Sequence, residues 1–148
     1  MIFMERGGVE AVASVLIVKD GKILLIKSPK WDDSYLVPGG HIDRGETIID
    51  AATREGEEET GLKLKSLYCV NVGESIFDPS FYRKAHLIYF HFVCQVVGGE
   101  ISPDAREVRE FFWFDPKEAL NLKLTKGVRK TIENYINGVR IDLASAKF

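Results

Sequence analysis

The feature that most constrains this chain is a dense run of acidic residues at positions 46–62, because like charges held this close need a counter-ion. The run contains six acidic side chains and one basic one, a net charge of −5, whereas the whole chain sums to −2. On an α-helix, at about 100° per residue, Glu55, Glu58 and Glu59 fall within an arc of roughly 100°. Glu57 points to nearly the opposite side. A bound cation is expected on the three-carboxylate face, and a solvated acidic face is the alternative for a bare run of acids.

Carboxylate oxygens are hard ligands that suit Mg²⁺ or Mn²⁺. Proteins commonly hold Mg²⁺ through one or two carboxylates, with waters and substrate phosphates completing the coordination. The acidic face therefore indicates Mg²⁺ (or Mn²⁺) as the cofactor and a phosphate ester or anhydride as the substrate.

The segment that contains this face resembles the signature box of the Nudix hydrolases, G-x5-E-x7-R-E-U-x-E-E-x-G-U, in which U is an aliphatic residue. Every fixed position but one matches, and the matching residues are Gly40, Glu46, Arg54, Glu55, Glu58, Glu59, Gly61 and Leu62. Gly56 occupies the aliphatic position. A mid-helix glycine costs about 1 kcal/mol relative to alanine and leaves a packing position empty, so that either a neighbour fills the gap or another backbone approaches closely. We therefore predict that Gly56→Ala stabilises the fold by about 0.5–1 kcal/mol.

The resemblance implies an α/β fold, the Nudix α/β/α sandwich with a mixed β-sheet between helices. It also implies Mg²⁺-dependent attack of water on a phosphoanhydride of a nucleoside diphosphate linked to another moiety. The implied catalytic residues are Arg54, Glu55 and Glu58, and the implied metal site consists of Gly40, Glu55, Glu58, Glu59 and Glu107. Glu58 and Glu59 would be the main ligands, and Glu55 would join them or take the proton of the attacking water. Arg54 would orient the carboxylates through charge-assisted hydrogen bonds.

One of these metal ligands lies outside the box: Glu107, which heads the predicted strand 107–114. In this family the corresponding strand brings an extra glutamate towards the metal. Glu107 is preferred over Glu110 for this role, and an exposed charge at the strand edge is the alternative for both.

Four residues are expected to bind the substrate: Lys27, Trp31, Gly39 and Tyr82. Plain packing is the alternative for Trp31 and Tyr82. Trp31 lies in a loop by composition and either covers that loop or stacks on a base. Gly39 lets the main chain pass close to a ligand. In Nudix proteins the loop corresponding to residues 74–84 often lines the substrate pocket, which implies that Tyr82 or Phe77 contacts the non-phosphate half.

The apolar pattern predicts the rest of the fold. Residues 9–18 and 23–26 form a hairpin across the turn at residues 19–22. The box is predicted to be a loop followed by a helix, with Thr47 at its start and Gly61 at its end. The remaining predicted elements are strands at 64–72, 85–97 and 107–114 and a helix from about 125 to 137.

Composition favours one domain spanning residues 1–148. The pI of about 5.9 argues against a dedicated nucleic-acid binder. The N-terminus lacks the pattern of a signal peptide, and no apolar run is long enough to span a membrane. Cys69 and Cys94 have no metal-binding spacing and are expected to be buried free thiols in a cytoplasmic protein. The expected partner is a nucleotide-type small molecule, with no membrane and no nucleic acid; a homodimer is possible.

Two other functions stay open at this level. An RNA-end pyrophosphohydrolase would need a basic channel, for which the sequence offers only scattered charge at Lys27, Lys30, Arg83 and Lys84. A Nudix-like nucleotide-sensing domain would be expected to have lost a box carboxylate, and none is lost here. Nucleoside triphosphates, ADP-sugars, dinucleoside polyphosphates and capped RNA all remain candidate substrates. Pro79 lies near the position where ADP-ribose-cleaving members tend to carry a proline.

Overall fold

The structure is a computed structural model that describes residues 8–102 and 110–148. Its strands are β1 (Val9–Lys19), β2 (Lys22–Lys27), β3 (Tyr35–Leu36), β4 (Gly39–His41), β5 (Leu62–Ile76), β6 (His86–Gly99) and β7 (Glu110–Phe114). Its α-helices are α1 (Ile48–Thr60), α2 (Pro116–Ala119) and α3 (Lys126–Ile136). Over the described ranges, no helix has the length and apolar character needed to cross a bilayer.

The strands form one mixed sheet in the order β3-β2-β1-β6-β5, with β4 also paired to β1 and β7 also paired to β2. β1 and β6 run parallel, and β5 returns antiparallel to β6. Among the described strands β1 is thus the centre of the sheet, with β2 and β4 on one side and β6 on the other. The predicted α/β fold with a mixed sheet is confirmed.

Alternate residues of β1 point to opposite faces of the sheet, and each face is covered by a helix. Val15 and Ile17 belong to the core cluster that contains Ala51 of α1. Leu16, which lies between them, belongs to the cluster that contains Ile132 of α3. The sheet is therefore enclosed between α1 and α3, and the predicted α/β/α sandwich is confirmed.

The predicted ends of α1 are also confirmed. Thr47 Oγ1 caps the helix by accepting a hydrogen bond from the Asp50 N–H at 3.2 Å. Gly61 ends it with a φ of 79°, a left-handed conformation that glycine adopts without steric cost. Its N–H donates to the Glu57 carbonyl at 2.8 Å. These caps fix where the acidic turn of the helix begins and ends.

Neighbouring side chains fill the space beside Gly56, so the prediction that this residue is a packing gap is wrong. A Cβ placed on Gly56 would lie 2.6 Å from Val15 Cγ2 and 2.8 Å from Leu64 Cδ1. Val15 is fully buried, and its branched side chain has little rotamer freedom. The space next to Gly56 is thus filled by side chains of β1 and β5, and the expected gain from Gly56→Ala does not follow.

Two segments predicted as loops are paired strands. Gly39 and Gly40 lie opposite Ser14 and Ala13 of β1, so the turn into the box is itself part of the sheet. Residues 74–76 continue β5, because each pairs with a residue of β6. The connection between β5 and β6 is therefore shorter than predicted and covers residues 77–85.

The other predicted elements are found close to their expected places. Asp20 and Gly21, at φ values of 51° and 75°, form the tight turn between β1 and β2. The last helix begins at Lys126 with Thr125 as its N-cap residue. β7 begins at Glu110, the first described residue of the predicted strand 107–114, and Glu107 lies outside the described residues.

Candidate active site

The acidic residues of α1 differ strongly in exposure. Glu55 is 3% exposed and Glu59 is 7% exposed, one helical turn apart on the side that packs towards the sheet. The Glu58 side chain, which helical spacing places beside them, is 59% exposed. Glu57 turns away, and its carboxylate accepts a hydrogen bond from the Leu64 N–H at 3.0 Å. The helix therefore presents two buried carboxylates and one that faces solvent.

Arg54 connects these carboxylates to the turn that precedes the helix. Its guanidinium donates to both oxygens of Glu46, at 2.7 and 2.9 Å, and to the His41 carbonyl at 3.1 Å. Its Nη1 also donates to Glu55 at 3.0 Å and to Glu58 at 3.3 Å. The bond from Arg54 lowers the pKa of the Glu46 carboxyl, and the bond to Glu46 raises the pKa of Arg54. One cation thus fixes three glutamates and a backbone carbonyl.

Gly39 joins the helix to the sheet at this point. Its N–H donates to Glu59 Oε2 at 3.2 Å. A Cβ on Gly39 would overlap Ser14 Oγ and would lie 2.6 Å from the Ala13 carbonyl oxygen. Only glycine therefore allows β4 to lie this close to β1 while its backbone reaches Glu59, and Gly40 follows it in the same strand.

The oxygen donors of this region fit the chemistry of Mg²⁺ or Mn²⁺, since the box supplies carboxylates and main-chain carbonyls and no thiolate. Its one imidazole, that of His41, directs Nε2 to Glu10 at 2.7 Å. Over residues 8–102 and 110–148, no three acidic, histidine or cysteine side chains are already gathered as a ligand cage. Arg54 contacts Glu55 and Glu58, and the Gly39 N–H contacts Glu59, so each of the three carboxylates is positioned in part by the box itself. The predicted fifth ligand, Glu107, lies outside the described residues.

A cleft of about 340 Å³ opens next to the box. Gly39 and Gly40 form part of its wall, so it begins where the backbone meets Glu59. Its other walls come from distant parts of the chain: the loop after β2, the end of β5, the middle of β6 and the start of α3. A ligand in this cleft would have one end against the box.

Aromatic rings line the cleft at two places. Trp31 and Phe81 have ring centroids 4.3 Å apart, and Tyr89 and His91 have centroids 4.8 Å apart. All four residues belong to the cleft wall. Such surfaces favour the flat, partly apolar rings of a nucleotide ligand.

The predicted substrate-binding residues divide into two pairs. Trp31 and Gly39 line the cleft. Lys27 and Tyr82 are not among the residues that line it. The ammonium group of Lys27 lies 4.6 Å from the ring centroid of Tyr35, and Tyr82 packs edge-on against Phe81 with the ring centroids 4.9 Å apart.

Three residues that the sequence did not single out as a group form a buried ion network: Glu10, His41 and Arg83. Arg83 donates to both oxygens of Glu10 at 2.7 and 2.8 Å, and His41 Nε2 lies 2.7 Å from Glu10 Oε1. Glu10 is 3% exposed, and the bond from Arg83 lowers its pKa to about 2. The one signal in the sequence was an acid placed inside the apolar run of β1.

The chain was compared with known proteins. The family model described as NUDIX domain matches residues 9–135. An ADP-ribose pyrophosphatase from Methanocaldococcus jannaschii is 41% identical over an alignment that covers 82% of this chain and 69% of that protein. An m7GpppN-mRNA hydrolase from Xenopus laevis is 30% identical, with 78% of this chain and 44% of that protein covered.

The solved structure of a NUDIX hydrolase from Nitrosomonas europaea has a TM-score of 0.76 at 26% identity, covering 92% of this chain and 94% of that one. The sequence matches, the shared fold and the box on α1 agree with one another. The chain belongs to the NUDIX family and is a hydrolase of the Nudix type.

Proposed function

We propose that this hydrolase cleaves the diphosphate of a nucleoside diphosphate joined to a sugar, with ADP-ribose as the leading candidate. The observation that carries this proposal is the double role of Gly39, whose N–H bonds Glu59 and whose backbone lines the cleft. A diphosphate at the box would then extend one of its two substituents into the cleft. The relative with 41% identity is named as an ADP-ribose pyrophosphatase. Pro79, which lies near the position where ADP-ribose-cleaving members tend to carry a proline, lines the same cleft.

The proposed cofactor is Mg²⁺ or Mn²⁺, held by Glu55, Glu58 and Glu59 with the Gly40 carbonyl and Glu107. A bound divalent ion would neutralise phosphoryl charge and make water a stronger acid. The chain itself supplies positioning, because Arg54 already holds Glu55 and Glu58 before substrate arrives. Glu55 or Glu58 takes a proton from the attacking water, and the exposure of Glu58 gives it the better access to solvent.

Metal binding is testable without turnover. An ion that binds only the folded protein raises the melting temperature, and the rise grows with the logarithm of the ion concentration once the site is mostly filled. We expect Mn²⁺ and Mg²⁺ to raise the Tm of the parent, and a Glu58→Gln, Glu59→Gln double variant to lose that rise. Glu57→Gln is the matched control and should keep it, because Glu57 faces away from the other two. An equal response of the double variant and the parent would place the metal elsewhere.

The structure gives no support to RNA ends as the substrate. The four basic residues that a channel would have used all have partners within the fold. Arg83 belongs to the buried ion network. The ammonium groups of Lys27, Lys30 and Lys84 lie over the rings of Tyr35, Tyr82 and Phe77, at 4.6, 6.0 and 4.4 Å from the ring centroids. The relative named as an mRNA hydrolase is matched over 44% of its own length. A binding domain without turnover is not favoured either, since every box carboxylate is present.

The proposed location is the cytoplasm, because Cys69 and Cys94 are both free and buried. Burial raises the pKa of both thiols, that of Cys94 to about 12, so neither is a reactive thiolate at neutral pH. The homodimer stays a prediction.

The substrate proposal is tested with a panel of ADP-ribose, a UDP-sugar, a dinucleoside polyphosphate and a nucleoside triphosphate, each with Mg²⁺ and with Mn²⁺. Product analysis should show AMP and ribose 5-phosphate from ADP-ribose, at a kcat/KM at least tenfold above that for the triphosphate. A Glu59→Gln sample prepared in parallel controls for contaminating hydrolases. Turnover of the triphosphate alone would overturn the proposal.

A further inference from the structure

The inner wall of the cleft contains a histidine that the proposed reaction does not use. His91 lies on β6, is 5% exposed and lines the cleft. Its Nδ1 lies 2.6 Å from Thr131 Oγ1 on α3. Among the described residues, no hydrogen bond is made by its Nε2, and that atom is not among the fully buried polar atoms without a partner. Nε2 is therefore the ring nitrogen that a ligand in the cleft can meet.

The hydrogen bonds around Thr131 determine which nitrogen of His91 carries the proton. The Thr131 hydroxyl has a single proton, and it donates to the Gly127 carbonyl at 3.0 Å. Asn71 Nδ2 donates to the same hydroxyl oxygen at 3.1 Å. The contact between Thr131 and His91 then needs Nδ1–H as the donor, which leaves the lone pair on Nε2.

Burial also keeps this ring neutral. It lowers the pKa of His91 to about 4, well below neutral pH. A neutral ring with its proton on Nδ1 is a hydrogen-bond acceptor at Nε2 and attracts no phosphate. This face of the cleft therefore suits a neutral donor group.

The ring of His91 is also held from the side, by Tyr89. The two ring centroids are 4.8 Å apart and the ring planes differ by 31°. Tyr89 itself fits between two glycines, since a Cβ on Gly127 would lie 2.8 Å from its Cζ and Oη, and a Cβ on Gly73 would overlap its hydroxyl. With Tyr89 on one side and Thr131 at Nδ1, the direction of Nε2 is fixed before a ligand binds.

The other charges on the cleft wall favour the same ligand chemistry. Glu74 and Asp78 add carboxylates, and Lys126 is the one basic side chain among the described lining residues. Carboxylates and a neutral imidazole are acceptors, and they match the donors of a sugar rather than a further phosphate.

We propose that His91 Nε2 accepts a hydrogen bond from a ribose hydroxyl of the substrate and thereby selects a sugar over a phosphate in this cleft. The inference rests on the proposed function for the identity of the ligand. The hydroxyl can come from the nucleoside ribose or from the terminal ribose, and the chemistry is the same for both. His91 is a specificity residue here, not a catalytic one.

The test measures the binding of ADP-ribose by calorimetry without added divalent ion, so that the result does not depend on hydrolysis. Two sets of ADP-ribose analogues are compared with it. Each analogue of the first set lacks one hydroxyl of the nucleoside ribose, and each analogue of the second set lacks one hydroxyl of the terminal ribose. We expect the parent to bind at least one analogue about tenfold more weakly than ADP-ribose. In His91→Phe the ratio of the analogue's Kd to that of ADP-ribose should fall to about one. His91→Gln, which keeps a hydrogen-bond acceptor, should restore part of this ratio.

The set of analogues that binds more weakly identifies the ribose whose hydroxyl donates to His91. An unchanged ratio in His91→Phe would overturn the inference. Thr131→Val serves if His91→Phe does not fold: it removes the partner that fixes Nδ1–H, and the ratio should shrink. The ¹⁵N spectrum of the free parent adds a check without a variant, since a proton on Nε2 in place of Nδ1 would also overturn the acceptor role.

The outcomes separate this inference from the proposed function. If ADP-ribose binds with the expected ratio but is not hydrolysed, the proposed function fails alone. If ADP-ribose is hydrolysed but the Kd ratio is the same in the parent and in His91→Phe, this inference fails alone. Absence of ADP-ribose binding would overturn this inference, and absence of its hydrolysis with Mg²⁺ as well would overturn both.

Discussion

The guanidinium of Arg54 sets the arrangement of the acidic face. It contacts Glu46 through two hydrogen bonds and reaches Glu55, Glu58 and the His41 carbonyl with its remaining donors. A planar group with five N–H donors can make this set of contacts, whereas an ammonium group cannot. The order of the carboxylates therefore depends on the shape of Arg54 as well as on its charge.

Arg54→Lys tests that dependence. The charge stays, but the two-pronged contact with Glu46 and the bond to the His41 carbonyl cannot both be kept, so the carboxylates lose their fixed positions. We expect kcat to fall about 10²-fold at saturating Mg²⁺. Arg44→Lys, an exposed arginine of the same turn, is the matched control and should behave as the parent. Parental kcat in Arg54→Lys would show that charge alone suffices.

Gly56 gives a second prediction at the scale of a single residue. Because Val15 and Leu64 already occupy the space beside it, Gly56→Ala should lower the free energy of unfolding by about 1–3 kcal/mol, as overpacked cores do. Urea unfolding measures the change.

A double-mutant cycle with Val15→Ala provides the control for Gly56. Removing the Val15 methyl groups, one of which lies 2.6 Å from the added carbon, should make the cost of Gly56→Ala smaller. If the two substitutions are additive, Val15 is not what excludes the side chain.

At the scale of elements, the buried ion network joins three separate parts of the fold. Glu10 belongs to β1, His41 to β4, and Arg83 to the loop between β5 and β6. The same loop carries Phe81 into the cleft wall, and His41 offers its carbonyl to Arg54. The network thus holds the cleft wall and the box against the same strand.

The ion network should make stability fall in acid. Arg83 holds the pKa of Glu10 at about 2, below the usual 4.5. The ionised Glu10 carboxylate therefore stabilises the folded protein fully above pH 4.5. This stabilisation is lost as the pH falls towards 2, because Glu10 takes up its proton first in the unfolded chain. The free energy of unfolding falls by about 3 kcal/mol as a result. Unfolding measured across this range should show a shallower fall in Arg83→Met than in the parent.

The matched control for Arg83 is the neighbouring Lys84, which is exposed. Lys84→Met should keep the parental acid dependence, whereas Arg83→Met should also be less stable at pH 7, since it leaves a buried carboxylate without its main partner. The same acid dependence in all three proteins would mean that the hydrogen bonds from Arg83 are not what lowers the pKa of Glu10.

Local signals in the sequence identified some elements and missed others, for physical reasons. The turn at Asp20 and Gly21 and the ends of α1 depend on neighbouring residues and were predicted from them. The strand pairing of Gly39 and Gly40 depends on a distant partner in β1. A proline followed by two glycines favours a loop until that partner is known.

In the molecule as a whole, one part of the site comes from a single helix and the other part from residues that are distant in sequence. The acidic face lies in a single helix, so it could be predicted from the spacing of its residues. The cleft brings together Trp31, Tyr89, His91 and the start of α3, which are far apart in the chain. No local pattern in the sequence indicates such a surface. One domain over residues 1–148 stays a prediction.

If the carboxylates on one side of α1 carry out the hydrolysis, Glu58→Gln and Glu57→Gln should differ sharply in kcat. Both variants remove one charge from adjacent positions of the same helix, but only Glu58 lies on the Arg54 side. With ADP-ribose and saturating Mg²⁺, kcat should fall about 10²-fold or more in Glu58→Gln and stay near the parental value in Glu57→Gln. Equal kcat in the two variants would show that hydrolysis does not depend on which side of α1 the carboxylate occupies.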